Sequence, residues 1–265
     1  MPFLSHEGVS LRYDRTGAGP AVLLIHGWLG NRTFWERQAQ ALRDRHTVIT
    51  VDLRGHGESS HPRTGYTLNA VVGDVEHLVR ALALPRVAIV GWSMGGIVAQ
   101  ELAHRLGEKA SALALVCTTA GGLTDPKNPR AQVERTTEMK KAIDDDFRAF
   151  VRTFAPNLFK DGAASPLFAW AVGQMQKTPS HVASACLDMV LGADQRPKLK
   201  KLKIPTAVLH GKHDALFALD EAQAMAKQIP GAELVVFQQS GHAPHLEETD
   251  AFNTALAKLL ARAAV

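Results

Sequence analysis

Ser93, Asp214 and His242 are the side-chain types that nucleophilic acyl transfer requires, and each follows a short apolar run ending in a glycine-bearing turn. A serine hydroxyl is a weak nucleophile until a base removes its proton. An imidazole can take that proton and return it to a leaving group, while a carboxylate on the other ring nitrogen fixes the tautomer and stabilises the imidazolium. Ser93 lies within RVAIVGWSMGGIVAQ, residues 86–100. Val87, Ala88, Ile89 and Val90 make an unbroken apolar run of the kind a doubly buried strand shows, and Ile97, Val98, Glu101, Leu102 and Arg105 recur at helical spacing. A strand therefore turns sharply into a helix at Ser93, with Gly91, Gly95 and Gly96 relieving the crowding. A serine there can simply cap the helix. The helix start also favours developing negative charge, and the amide of Met94 is an oxyanion donor in waiting.

His242 is the expected base because Gly241-His242 sits on the turn off the run 234–237, whereas His245 follows Pro244 at the approach to a final helix. Asp214, in Gly211-Lys212-His213-Asp214 after the run 207–210, is the expected acid; Asp220 and Glu221 begin the next helix and suit its dipole. The apolar run Ala21–Ile25 leads into His26-Gly27-Trp28-Leu29-Gly30, whose Trp28 main-chain N–H is the candidate second oxyanion donor beside that of Met94. His26 is read as a loop anchor. The turn RGHGES at 54–59 lacks both the Walker and the dinucleotide glycine patterns and is read as structural, with Asp52 and Arg54 bonding loop backbone.

Segments 3–5 and 9–13 predict a hairpin at a sheet edge, 47–53 and 112–118 two further strands, and 68–83 and 248–263 helices. Regular strand–helix alternation implies an α/β fold with a mostly parallel sheet, whose sites form beyond the carboxyl ends of the strands. Over 121–202 the alternation stops and helical periodicity takes over, so 1–120 and 203–265 are expected to form the core and 121–202 a helical cap inserted into it. Leu29, Leu123, Phe147 and Phe150 are candidate pocket residues beneath that cap. Phe154, Trp170, Met189 and Phe217 complete the candidate apolar lining.

The chain of 265 residues is long enough for one large domain, and its two cysteines, Cys117 and Cys186, lack metal-ligand spacing and read as buried thiols. The start MPFLSHEGVS does not look like a secretory signal, and no apolar run approaches a membrane span, so a cytoplasmic location without membrane association is expected. The net charge of +4 is spread among acids, which argues against nucleic acid as a partner; RPKLKKLK at 196–203 is the exception, read as a solvated linker or a docking patch for an acidic partner.

HGWLGN, DLRGHGES, GWSMGG, GKHD and SGHAPHLEE together resemble the motifs of the α/β-hydrolase fold superfamily over residues 23–248. The resemblance implies that fold, a serine esterase mechanism with Ser93, Asp214 and His242, an oxyanion hole at Trp28 and Met94, no metal or organic cofactor, and a small-molecule ester as substrate. His-Gly-Trp, Gly-Trp-Ser-x-Gly-Gly, His-Ala-Pro and the stretch 145–154 are also similar to esterases acting on pimeloyl-carrier-protein methyl esters. That similarity implies an acyl carrier protein as partner, for which Arg148 and Arg152, one helical turn apart, are candidate contacts, although an ordinary solvated face explains them equally. Lactone or enol-lactone hydrolysis uses the same residues and stays open, as does carbon–carbon bond hydrolysis. Related perhydrolases often carry proline where Leu29 stands. Dehalogenases and epoxide hydrolases attack with aspartate, which disfavours them here. A ligand-binding receptor on the same fold is the competing reading from outside catalysis.

Overall fold

The apolar runs become the centre of an eight-stranded sheet. In the computed structural model, which describes residues 2–121 and 129–263, β3 (Ala21–Ile25), β4 (Thr47–Val51), β5 (Val87–Trp92), β6 (Ala110–Val116) and β7 (Thr206–Gly211) are buried at every position. β1 (Phe3–His6) and β2 (Val9–Thr16) form the expected hairpin, with Glu7 and Gly8 both at positive φ, as a tight two-residue connection requires. β8 (Glu233–Phe237) is only partly covered and forms the other edge.

The strand order is β1-β2-β4-β3-β5-β6-β7-β8. β2 runs antiparallel to β1 and β4, and every other pairing is parallel. The chain moves outward from β3 to β4 and then crosses back to place β5 on the other side of β3. Loops leaving the carboxyl ends of β3 and β5 therefore diverge and open a crevice between them. Ser93 follows β5, and Trp28 follows β3.

Helices α2 (Leu68–Ala81), α3 (Met94–Leu106) and α8 (Leu219–Gln228) bury their apolar faces in one core cluster, on one side of the sheet. On the other side, α1 (Glu36–Leu42) and α10 (Thr249–Ala263) contribute Leu42, Phe252, Leu256 and Leu259 to a second cluster. Between β6 and β7 the described residues hold helices and no strand: α4 (Pro129–Phe154), α5 (Phe168–Met175), α6 (Ser180–Gly192) and α7 (Arg196–Leu199). The long α4 is broken at Asp146, whose backbone is extended at φ −156° and whose carboxylate restarts the helix by accepting the Ala149 N–H at 2.9 Å. Among the described residues no helix is long and apolar enough to cross a membrane.

The polar turn at 54–59 is held as a structural element. Asp52 accepts the N–H groups of Arg32 (2.6 Å) and Glu58 (2.9 Å), and Arg54 reaches the Gly65 carbonyl (2.7 Å) and buried Asp74. Cys117 and Cys186 are buried free thiols.

Candidate active site

Ser93 occupies the junction of β5 and α3 at φ 55°, ψ −122°, a backbone state that an L-residue adopts only when its surroundings enforce it. The enforcement is visible on both sides. Ser93 N–H donates to the Val116 carbonyl at 2.9 Å, and its own carbonyl accepts from the Thr118 hydroxyl at 2.7 Å and the Gly96 N–H at 2.8 Å. Gly95 makes the crossing possible, because a Cβ there would lie 2.4 Å from the His26 carbonyl oxygen and 2.5 Å from that of Ile25. The helix start is thereby drawn against the end of β3.

The acid and base candidates meet across β7 and β8. His242 Nδ1 lies 2.8 Å from Asp214 Oδ2, while Asp214 Oδ1 accepts the amides of Leu216 (2.8 Å) and Phe217 (3.1 Å). An ionised carboxylate is acceptor-only, so Nδ1 carries a proton, and in the neutral imidazole Nε2 is then the nitrogen with the lone pair. Burial pushes the Asp214 carboxyl up, but the adjacent His242 charge and hydrogen bond, with His210 and the Leu216 amide, outweigh it and leave it below its ordinary value. The imidazole is wedged between Trp92 and Phe217, with ring centroids 5.6 Å away on each side. Ser93 Oγ and His242 Nε2 are not bonded to each other or to any other group among the described residues. One is therefore free to donate and the other to accept.

Several positioning groups were not legible in the sequence reading. Trp92 Nε1 donates to the His242 carbonyl at 2.7 Å, tying the end of β5 to the histidine turn. Glu247 accepts the main-chain N–H groups of Gly241 (2.7 Å) and Lys160 (2.8 Å), and Glu248 accepts the main-chain N–H of Gln239 (2.8 Å) and the Ser240 O–H (2.6 Å). The paired acids five and six residues after His242 were the available signal. Beneath the site, Cys117 Sγ contacts both turns, accepting from Gly211 N at 3.4 Å and facing the Gly241 carbonyl at 3.8 Å. Burial pushes this thiol well up, with Asp214 adding to the effect, so it remains protonated.

His26 and His245 are held in packing and hydrogen bonds away from the cavity. His26 Nε2 accepts the Leu53 N–H at 3.0 Å and Nδ1 donates to the Gly27 carbonyl at 2.8 Å; burial pushes its pKa down to about 4. His245 is fully buried, with its ring centroid 4.4 Å from that of Trp35, and burial, with the His242 and Arg37 charges, holds it well below its ordinary value.

A cavity of about 410 Å³ opens beside Ser93. Trp28 and Met94 line it together with Ser93, and neither of their main-chain N–H groups has an acceptor among the described residues. The loop holding Trp28 lies close to the serine: a Cβ on Gly27 would be 3.0 Å from Ser93 Cβ. Of the expected apolar lining, Phe154 and Phe217 front the cavity. Leu29, Phe147, Phe150, Trp170 and Met189 do not. Leu29 is fully buried in the α1/α10 core cluster, Trp170 packs on Phe34 at 4.8 Å, and Phe150 packs on Trp28 at 5.9 Å, with Phe147 against the same core. Met189 is buried in the opposite cluster. Leu123 lies outside the described residues. Periodicity told which residues share a helix face, but not which face fronts the cavity. Helix residues that do front it include Thr136 and Met139 on α4, Leu187 and Val190 on α6, and Ala224 and Met225 on α8.

A mostly parallel sheet whose order reverses beside a strained serine, with a buried carboxylate–imidazole pair after β7 and β8, defines an α/β hydrolase. The family model for the alpha/beta hydrolase fold matches residues 20–249, and the chain belongs to that family. It is 32% identical over 257 residues to a pimeloyl-[acyl-carrier protein] methyl ester esterase of Chromobacterium violaceum, covering 95% of this chain and 98% of that one. Among solved structures it is similar to an esterase from Exiguobacterium antarcticum (TM-score 0.90, 27% identity, 97% of each chain). It is also similar to the enol-lactonase from Burkholderia xenovorans (TM-score 0.88, 26% identity, 98% of this chain and 100% of that one).

Proposed function

We propose that the protein is a serine carboxylesterase that hydrolyses small-molecule esters through an acyl-enzyme. The observation that carries this reading is the conjunction of a strained, cavity-facing Ser93 with a His242 imidazole whose Nδ1 is committed to Asp214 and whose Nε2 is free. Ser93 Oγ attacks the ester carbonyl as His242 Nε2 takes its proton. The resulting oxyanion is met by the Trp28 and Met94 amides, which have no competing acceptor. His242 then delivers the proton to the departing alkoxide, leaving the acyl-serine. Water, deprotonated by the same nitrogen, attacks the acyl carbonyl; collapse returns the proton to Ser93 and releases the carboxylic acid. No step calls for a cofactor. The helices between β6 and β7 act as a cap, since α4 and α6 contribute cavity wall opposite the strand ends.

A cyclic ester would pass through the same steps and leave acid and alcohol on one product, and the similarity to an enol-lactonase favours that as the second reading. Arg148 and Arg152, exposed on α4, are the contacts to test for an acyl carrier protein, a partner suggested by the similarity to the carrier-protein methyl ester esterase.

The deciding experiment is hydrolysis of a p-nitrophenyl ester series from acetate to long acyl chains by wild type and by Ser93→Ala, both checked for folding. Ser93→Ala is expected to lose all turnover above background and all labelling by a fluorophosphonate. An active Ser93→Ala protein would sink the mechanism.

A further inference from the structure

Resting on the esterase reading, we infer that the cavity is built for an anionic substrate: an ester of a dicarboxylic acid whose free carboxylate is held by Arg196 and Arg135 while its ester group lies at Ser93. Both arginines line the same cavity as Ser93, and Leu187, Val190 and Met225 supply apolar surface there suited to methylenes.

Arg196 is held in place by four local features. Gly121 and Asp194 form an isolated β-bridge, and Gln195 N–H donates to the Ala120 carbonyl at 2.5 Å. Asp194 grips the guanidinium as a fork, Nε to Oδ1 and Nη2 to Oδ2, both at 2.8 Å. Gly121 lets the head group lie across its backbone, since a Cβ there would sit 2.7 Å from Nε. The fork uses one edge of the guanidinium. Nη1 has no acceptor among the described residues and remains available to a ligand. Arg135 forms no ion pair among the described residues.

The surrounding charge points the same way. Glu221 also lines the cavity, and Asp194 neutralises part of the Arg196 charge. The basic stretch that α7 begins adds positive charge next to Arg196 in the chain. Lys198 is committed to Glu101, while Lys200, Lys201 and Lys203 have no ion-pair partner among the described residues. Of the stretch 196–203, Arg196 and Leu199 line the cavity, and the remainder returns the chain to β7. An anion in the cavity meets the oriented Nη1 of Arg196 and the charge of Arg135.

The test compares monomethyl esters of linear dicarboxylic acids, from succinate to suberate, with neutral methyl esters of matched chain length. In wild type at low salt the anionic ester is expected to lead in kcat/KM by about fivefold at its best length, the size of an interaction with half-exposed arginines. The lead should shrink as salt rises. Arg196→Gln and Arg135→Gln should each narrow the ratio, and the double variant should bring it close to one. Arg196→Lys, which keeps the charge but loses the fork, should restore the ratio only in part. Equal rates for the two series in wild type, or a ratio that survives in the double variant, would overturn the inference. Absence of turnover on both series counts against the esterase reading. The subsite is then judged by melting temperature: free adipate should raise that of wild type more than that of the double variant, and equal shifts reject the subsite.

Discussion

At the scale of single residues, the site depends on where one proton sits. Asp214 accepts two main-chain amides on one oxygen and the His242 Nδ1–H on the other, so its carboxylate sets the imidazole tautomer without moving. Asp214→Asn retains the shape but offers an amide whose donor can face Nδ1, which favours the tautomer with its proton on Nε2. On p-nitrophenyl acetate this variant is expected to lose on the order of 10²–10⁴ in kcat with KM little changed and an unaltered circular dichroism spectrum. Wild-type turnover in Asp214→Asn would remove the carboxylate from the mechanism. The residues proposed for this chemistry each stand in a short motif at a strand end, which is why the sequence points to them. Trp92, Glu247 and Glu248 were not legible there, because their roles exist only once β5, β8 and α9 (Pro244–Glu247) lie side by side.

At the scale of elements, the tight turn at Ser93 closes because α3 can approach the end of β3. Gly95 is the contact point, its missing Cβ leaving room for the His26 and Ile25 carbonyls. Gly95→Ala should cost about 1–3 kcal/mol in urea unfolding, as overpacking of a close backbone contact does. It should also lower kcat by displacing Ser93 from the histidine; stability and activity both matching wild type would show that the approach is not needed. Strands and helices of the sheet were legible to within a few residues, since doubly buried strands leave unbroken apolar runs and surface helices leave 3.6-residue stripes. The break in α4 at Asp146 was not, because Asp144, Asp145 and Asp146 are equivalent in sequence and only packing selects which one leaves the helix.

For the molecule as a whole, three histidines buried in neutral form link stability to pH. Burial pushes His26 down to about 4 and His56 to about 3, the latter helped by the neighbouring His26, and holds His245 well below its ordinary value. In the unfolded chain each takes up a proton near 6.5, whereas the folded protein does so only at far lower pH. Their contribution is therefore complete above pH 6.5 and is lost as pH falls, by about 1.4 kcal/mol per pH unit for each histidine. The melting temperature should drop between pH 6.5 and 5, and His245→Leu should make that drop shallower. A flat profile in wild type over this range would contradict the burial of these rings as neutral groups.

The sequence by itself determined the sheet, the order of serine, acid and histidine along it, and the helical stretch between β6 and β7, because strand burial, helix periodicity and tight turns are written in local residue patterns. Only the tertiary structure decided which helix faces front the cavity. It sent Leu29, Phe147, Phe150, Trp170 and Met189 into packing and brought Arg135, Arg196 and Met225 to the cavity wall. The physical reason is that periodicity defines a buried face without naming its partner: the rotation of each helix is chosen by contacts between segments far apart in the chain, and an apolar side chain fits a core or a cavity wall equally well until those contacts form.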